Sequence, residues 1–506
     1  MRLAAIILGF TALRLLLAVL VGLSVDESYA AVMGRHLSLS YFDHPPMAFW
    51  WAGLGARLAG RESAFLLRLP FILAFAATTG LMARLGAFLF GEKAGLRAAF
   101  LLNVSLFFSV AAGSWALPDG PLLLFSVAAA YCLARAAFAA PRSSSTETAT
   151  AGAVTGWWIG FGLFAGLALL SKYHGVFLLA GAALFLVTSP RQARQLRRPG
   201  PWLALLVAAL VFTPVVAWNA GHGWASFRFQ GGRAVPLTES GGTPFLDSLG
   251  GQAVWILPWI WLPLLVVLAS ALRAGPRDGR RWLLACLGVF PIVGFTLLTA
   301  FGVRGLPHWE APGYFMLLPL LGAAFEPDGR PRRWVATWLW GCAVGFAAVV
   351  VVLAAHARTG WLRTASPALF ARGDPTDDLS DWTPVARQIG DWGYPDGDAL
   401  VASGRWDDAA KLAWAMGPSV DVTCVGEDAR GFAFTREPRA ALGRNVLLAV
   451  RRRSGPEPLV AYASYFDGLR ALGSVALDRG GREQVTVSVY LGRRLRATLP
   501  ALQQRR

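Results

Sequence analysis

Six short stretches of the chain hold most of the side chains that could bind a charge or move a proton. In "LSVDESYAAVMGRHL", Asp26 and Glu27 follow directly on an apolar run. An ionisable pair at a membrane boundary is expensive to bury and marks a functional site by default. The same spacing also suits a cap, with Asp26 closing the first turn of a helix that starts at Glu27. In "SYFDHPPMAFWW", Asp43 and His44 can hold a cation or an anion, and His44 titrates near neutrality. Pro45 and Pro46 suit the first turn of a short aromatic helix that lies in the membrane interface. A cap followed by proline is the plainer reading of that segment.

The other four stretches are weaker singly. Asp119 lies between Pro118 and Gly120 in "GSWALPDGPLLLF", which also fits a turn before a helix. Lys172 and His174 interrupt two apolar runs in "LLSKYHGVFLL"; Lys172 either contacts a phosphate or snorkels to the interface. "WNAGHGWASFRFQGGRAVP" brings His222, Arg228, Gln230 and Arg233 into one loop, and "GLPHWEAPGYF" supplies His308, Trp309 and Glu310. An aromatic belt accounts for the tryptophans but not for the histidines.

These groups must be positioned by a membrane scaffold. The chain has 506 residues, 55% of them hydrophobic and 15% charged, against about 25% charged in soluble domains. Eleven apolar segments stand out: 3–23, 63–90, 94–112, 119–139, 155–171, 174–189, 201–219, 247–272, 282–301, 310–325 and 334–356. Each approaches the length that crosses roughly 30 Å of hydrocarbon. The expected fold is a polytopic α-helical membrane protein of about eleven transmembrane helices. Arg14 interrupts the first segment and no signal-peptidase site follows, so it reads as a retained helix.

Net charge is +17. Nucleic acid is not the expected partner, because the arginines crowd into alternate short loops, where they set topology and meet anionic lipid. Lys93 and Arg97, Arg135 and Arg142, Arg191 to Arg198, Arg273 to Arg281, and Arg330 to Arg333 mark these loops and the N-terminus as cytoplasmic. All six histidines, with Asp26, Glu27, Asp43 and Asp119, then fall on the outer face. Residues 139–154 read as a flexible linker. The four cysteines form no CxxC or metal-type cluster.

From about residue 360 the composition becomes that of a small α/β domain. "ALVASGR", "VDVTCVG", "NVLLAVRR", "LVAYASYF" and "VTVSVYLG" read as strands, and "WDDAAKLAWAM" as a helix. The expected division is a membrane domain over 1–358 and an outward-facing domain over 359–506. The chain contains no GxxxxGKS, strand-borne GxGxxG, GxSxG or HExxH, so no nucleotide cofactor is expected.

Taken in order, the acidic pair, "FDHPPMAFWW", "LRLPFILA", "PDGPLLLF", "LSKYHG", "WNAGHGWASFRFQ" and "HWEAPGY" resemble the GT-C glycosyltransferases over residues 1–325. The bacterial branch related to protein O-mannosyltransferases, with its lipid A aminoarabinose and galacturonic acid transferases, is most similar. The resemblance implies a polyprenyl-phosphate sugar as donor, and lipid A, a glycan or a protein as acceptor. It implies inverting transfer on the outer face of a bacterial inner membrane. Asp26 matches the family's catalytic aspartate, with Glu27 beside it, and Asp119 matches a second one. His44, Lys172 and Arg228 would meet the donor phosphate. Asp43 would bind a divalent metal ion, with His222 the nearest histidine to complete its site. The competing reading is a transporter or lipid flippase, which predicts internal repeats and ionisable groups at mid-membrane. The sequence has no clear repeat.

Overall fold

The computed structural model describes residues 3–138, 147–233, 244–303, 305–325, 333–370, 373–394, 399–426, 428–435, 441–452 and 462–496. Arg142, Arg330, Arg332, residues 139–146 of the expected linker and residues 459–461 of the expected strand lie outside them. From Glu147 onward the expected linker is already helix, continuing to Ser171.

Eight helices are long and apolar enough to span a membrane. They are Leu3–Leu20, Ala64–Phe90, Asp119–Phe138, Gly152–Ser171, Pro199–Gly221, Pro258–Arg277, Gly279–Ala300 and Trp334–Thr359. Tyr173–Thr188 and Ala311–Ala324 are shorter apolar helices. Val19, Leu210, Val266 and Trp340 lie exposed on such helices, a pattern that suits lipid as the surrounding solvent. The structure shows a multi-pass helical membrane protein with a small C-terminal sheet.

Two of the eleven expected segments are broken. Segment 94–112 divides into helix Glu92–Asn103 and a π-helical turn, Phe107–Ala112. Segment 247–272 divides at Leu257, a non-glycine residue at φ 74, which separates helices Pro244–Ile256 and Pro258–Ala274. Apolarity runs unbroken through both breaks, so the hydropathy pattern cannot reveal them.

The chain forms two compact units. One comprises residues 1–16, 44–48 and 69–349; the other comprises 17–43, 49–68 and 350–506. In the first, helix Asp119–Phe138 packs on Glu147–Ser171, which packs on Pro199–Gly221; Ala311–Ala324 packs on Glu92–Asn103 and Gly279–Ala300. Buried Arg14 ties this unit together. Its Nε donates to Ser109 O (3.0 Å) and its Nη2 to Asn103 Oδ1 (2.6 Å) and Ser109 Oγ (3.1 Å), above the Phe75 ring. A π-turn alters the usual backbone bonding, and here the turn's Ser109 carbonyl is the acceptor that receives the guanidinium.

In the second unit a five-stranded sheet has the order β2-β1-β3-β5-β4, with β1 Leu400–Ser403, β2 Val422–Cys424, β3 Val446–Arg451, β4 Phe466–Arg479 and β5 Arg482–Leu495. β1 pairs in parallel with β2 and β3, and the helix Trp406–Met416 makes the β1-to-β2 crossover that parallel pairing needs. Leu400, Ala402, Val446, Leu448, Phe466 and Tyr490 form the core. β4 and β5 join through Gly480 and Gly481, both at positive φ, as a type I′ hairpin requires. The described part of "LVAYASYF" is a 3₁₀ turn, Ala463–Tyr465, that leads into β4 at Phe466. β4 escapes a reading by alternation because it is a largely exposed edge strand with two register shifts.

Because Asn103 supplies an acceptor to a buried charge, Asn103→Leu should destabilise the protein by about 2–3 kcal/mol. The pair Asn103→Leu with Arg14→Met removes that charge and should cost less than Asn103→Leu alone. Thermal denaturation in detergent checks the order; a double variant less stable than Asn103→Leu would contradict it.

Candidate active site

The second unit places the acidic pair on helix Val25–Gly34. Ser24 begins it with a capping box: the Glu27 N–H donates to Ser24 Oγ (3.2 Å), and the Ser24 N–H donates to Glu27 Oε2 (3.0 Å). The cap is therefore Ser24, and the alternative in which Asp26 caps the helix is corrected. Glu27 is fully buried and is held in fork geometry by Arg68, whose Nε and Nη2 lie 2.7 and 2.6 Å from its two oxygens. The other Arg68 donors take the carbonyls of Ala18 (3.1 Å), Val21 (2.7 Å) and Gly22 (2.9 Å), where the first helix ends. Buried Lys411, from helix Trp406–Met416, donates to Leu23 O (2.5 Å), and burial pushes its pKa down to about 7. Glu27 is a structural anchor in this arrangement.

Asp26, one residue earlier, is solvent-exposed and makes no side-chain hydrogen bond among the described residues. Its carboxyl is raised to about 6, chiefly by desolvation. Since the side chain is open to solvent, the desolvation comes from the mass of surrounding protein and not from a cover over the group. Arg430 pulls the pKa down, while Asp43, Asp378 and Glu27 push it up. Such a carboxylate is accessible and charged at neutral pH, and is more basic than an ordinary aspartate.

Asp43 is buried. Tyr29 Oη donates to its Oδ1 (3.0 Å), and Arg430 Nη1 stands 3.8 Å from its Oδ2. Tyr29 Oη in turn accepts the Gly431 N–H (2.9 Å). The Arg430 guanidinium lies 3.7 Å from the centre of the Trp406 ring. Its backbone is at φ 45, a strained conformation for arginine. A divalent cation implied for Asp43 and His222 is not matched by these donors. Asp43 already shares its charge with Arg430, and no group of three or more His, Cys, Asp or Glu side chains among the described residues could hold a metal ion.

The first unit carries the second cluster. Lys172 Nζ donates to both oxygens of Asp119 (2.9 and 3.0 Å), and both side chains are buried. Lys172 does not snorkel. His44 and His308 act electrostatically on Asp119. His44, His308, Lys172 and Arg233 act on His174. Burial, Lys172, Arg233 and His44 hold the His308 pKa down at about 4 against the pull of Asp119. The neutral His308 ring stacks on Phe107 at 5.5 Å. The arrangement is a buried ion pair with His44, His174 and His308 in electrostatic range, and Arg233 is a second cation that acts on His174 and His308.

The loop that supplies that second cation is shaped by Asn219. Its Oδ1 accepts the N–H groups of Ser226 (3.1 Å) and Phe227 (3.3 Å) at the start of helix Ala225–Gly232, and Ser226 Oγ bonds Tyr173 Oη (2.6 Å). His222 is taken up by Trp218: its Nδ1 lies 2.7 Å from the Trp218 carbonyl, and the rings stack at 4.2 Å. Arg233, also within 5.1 Å of the Trp309 ring, acts on His174 and His308. Glu310 belongs to a separate network with Gln252, Ser248 and Tyr314, and burial lifts its pKa to about 7. Arg68, Arg430 and Lys411 are the site residues that spacing did not single out. "LRLPFILA" contains the first of them, but nothing local tells that its partner is Glu27.

Comparison with known proteins places this geometry in context. The family model "Dolichyl-phosphate-mannose-protein mannosyltransferase" matches residues 43–218. The lipid A galacturonosyltransferase RgtD of Rhizobium johnstonii is 27% identical over 317 residues, 61% of this chain and 62% of that relative. The chain thus matches less than two thirds of that protein's length. The crystal structure of ArnT from Cupriavidus metallidurans bound to undecaprenyl phosphate superposes with a TM-score of 0.61 at 17% identity, over 96% of this chain and 97% of that one. The apo ArnT structure gives 0.61 and 17% over 99% and 98%. At such identities the solved structures speak for the fold; the chain shares the ArnT fold, and its residues 43–218 match the mannosyltransferase family model, in agreement with the resemblance of its motif order to the GT-C glycosyltransferases.

Proposed function

We propose that this protein transfers a sugar from a polyprenyl-phosphate donor to a lipid, glycan or protein acceptor, with inversion at the anomeric carbon. A lipid acceptor is our first reading, because the relative named above is a lipid A galacturonosyltransferase. The proposed setting is a bacterial inner membrane, with the N-terminus cytoplasmic and residues 359–506 periplasmic.

The observation that carries this reading is Asp26: an exposed carboxylate raised to about 6, directly beside the anchored Glu27. Asp26 takes the proton of the acceptor hydroxyl. The acceptor oxygen forms its bond to the anomeric carbon as the bond from that carbon to the phosphate oxygen breaks. The electron pair leaves with the polyprenyl phosphate. Lys172 and Arg233, with His44, answer the charge that develops on that phosphate. Asp119 holds Lys172 in place, and Arg430 tunes Asp26. No step is routed through a metal ion, since Asp43 and His222 do not present a matching donor set.

The direct test is transfer by the purified protein from a polyprenyl-phosphate sugar to an extracted lipid acceptor. Asp26→Asn should lower the rate by roughly 10²–10⁴-fold, the usual worth of a general base, with expression and melting unchanged. Arg198→Gln should leave the rate intact. Transfer by Asp26→Asn at the natural rate would remove Asp26 from the mechanism.

With a pKa of about 6, Asp26 is roughly nine-tenths ionised at pH 7. kcat/KM should therefore rise with pH and level off above an inflection near 6. Removing the Arg430 charge removes an interaction that lowers this pKa, so Arg430→Gln should move the inflection to higher pH. Arg430→Lys should return it towards the natural value. An inflection that stays fixed in Arg430→Gln would contradict the tuning.

Lys172→Met leaves Asp119 as an unpaired buried charge, so it should destabilise the protein by about 3–5 kcal/mol and abolish transfer. Lys172→Met with Asp119→Asn should recover much of the stability without recovering transfer. A double variant that transferred sugar normally would show that Lys172 is only structural.

A further inference from the structure

The second unit contains a cavity of about 330 Å³ to which the transfer reaction assigns no role. Its walls come from helices Val25–Gly34 and Met47–Ala59, from residues 60–63 and 67, and from Trp414 and Pro418. The volume lies at the lower end of the range for small-molecule sites, about 300–1,000 Å³.

Two glycines bring the walls together. A Cβ on Gly34 would meet Phe49 O at 2.7 Å, and Arg57 Nη2 donates to the bare Gly34 carbonyl at 2.6 Å. Gly53, facing it, has no room for a Cβ either. Arg35 is fixed as a rigid wall: it binds both oxygens of Glu62 (2.9 and 2.8 Å), and it donates to Ala413 O. Arg57 is anchored through one nitrogen, and Arg61 has no side-chain partner among the described residues. Both are exposed. Three guanidinium groups face one carboxylate, which leaves two positive charges in excess.

That excess matches a phosphomonoester, which carries about −1.5 to −2 at pH 7. Guanidinium forks are suited to its oxygens. Leu54 and Leu58, on the same short helix as Arg57, are exposed, Leu58 by 80%. A charged recess beside exposed apolar side chains suits an amphipathic ligand better than a free ion. We infer that the cavity lined by Arg35, Arg57 and Arg61 binds a phosphomonoester dianion, presented as the headgroup of a membrane lipid.

No residue lining this cavity takes part in the proposed transfer, but polyprenyl phosphate is itself a lipid phosphomonoester, so the arginine variants are what assign binding to this cavity. The full chain in detergent is titrated with phosphatidic acid, phosphatidylcholine or inorganic phosphate and followed by native mass spectrometry. The expected result is a one-to-one phosphatidic acid complex, without an equivalent phosphatidylcholine complex. Arg57→Gln with Arg61→Gln should weaken it at least tenfold; Arg197→Gln with Arg198→Gln should not. Asp26→Asn should bind phosphatidic acid as the natural chain does, which keeps failure here distinct from failure of the catalytic reading. If the double variant melts early, Arg61→Gln alone, which breaks no side-chain hydrogen bond or ion pair among the described residues, should still weaken binding severalfold. Competition by millimolar inorganic phosphate at this site would support the phosphate chemistry. Binding of inorganic phosphate without phosphatidic acid would overturn the lipid source. Equal binding of both lipids, or undiminished binding by the arginine variants, would overturn the site itself.

Discussion

The ion pair between Glu27 and Arg68 is the constraint on which the second unit depends. Both side chains are removed from water, so each charge must be answered within the protein. Arg68 answers Glu27 and also satisfies three carbonyls where the first apolar helix stops. Glu27 returns a hydrogen bond to the Ser24 N–H and so fixes the first turn of the next helix. The helix end, the reversal of the chain and the new helix start are thereby one polar structure. Its by-product is the exposure of Asp26 at that first turn, in a direction set by neighbours that cannot move independently. A single carboxylate could not be both anchored and available, and the adjacent acids divide those two tasks.

The same logic recurs in the first unit. Asp119 and Lys172 neutralise one another away from water, and His308 is held neutral beside them. A site of this kind is poised for an anion: one negative charge is already paired, and Arg233 and the imidazoles supply further positive potential or hydrogen bonds. Arg14 shows the purely structural form of this economy, with its hydrogen bonds made to Asn103 and Ser109 and its guanidinium over the Phe75 ring. Arg14, Arg68 and Lys172 thus have three different partner sets, and of these Lys172 sits beside imidazoles.

Much of this was legible in the sequence because a polar residue beside a long apolar run is costly and conspicuous. Asp26, Asp43, His44, Asp119, Lys172 and His308 stand out for that reason, and the spans and four of the five expected strands follow from hydropathy and alternation. Partnership was not legible. Nothing near Glu27 names Arg68, and nothing in the ordinary composition around Arg430 points to Asp43, far away in the chain. Arg228 and Arg233 are indistinguishable by residue type, and the role of Arg233 shows only in its place beside Trp309 and the histidines. The π-turn at Phe107–Ala112 and the break at Leu257 are backbone events inside apolar sequence, and β4 is an edge strand whose burial hardly alternates.

The central claim is that Asp26 makes this chain a glycosyltransferase, and mass spectrometry of envelope lipids and glycans tests it most directly. A strain lacking the protein is complemented with the natural chain or with Asp26→Asn at equal membrane abundance. The account predicts a sugar-sized mass that disappears in the deletion and returns with the natural chain but not with Asp26→Asn. Return of that mass with both chains would contradict the claim, and would leave the protein's contribution to transport, to binding or to another catalytic residue.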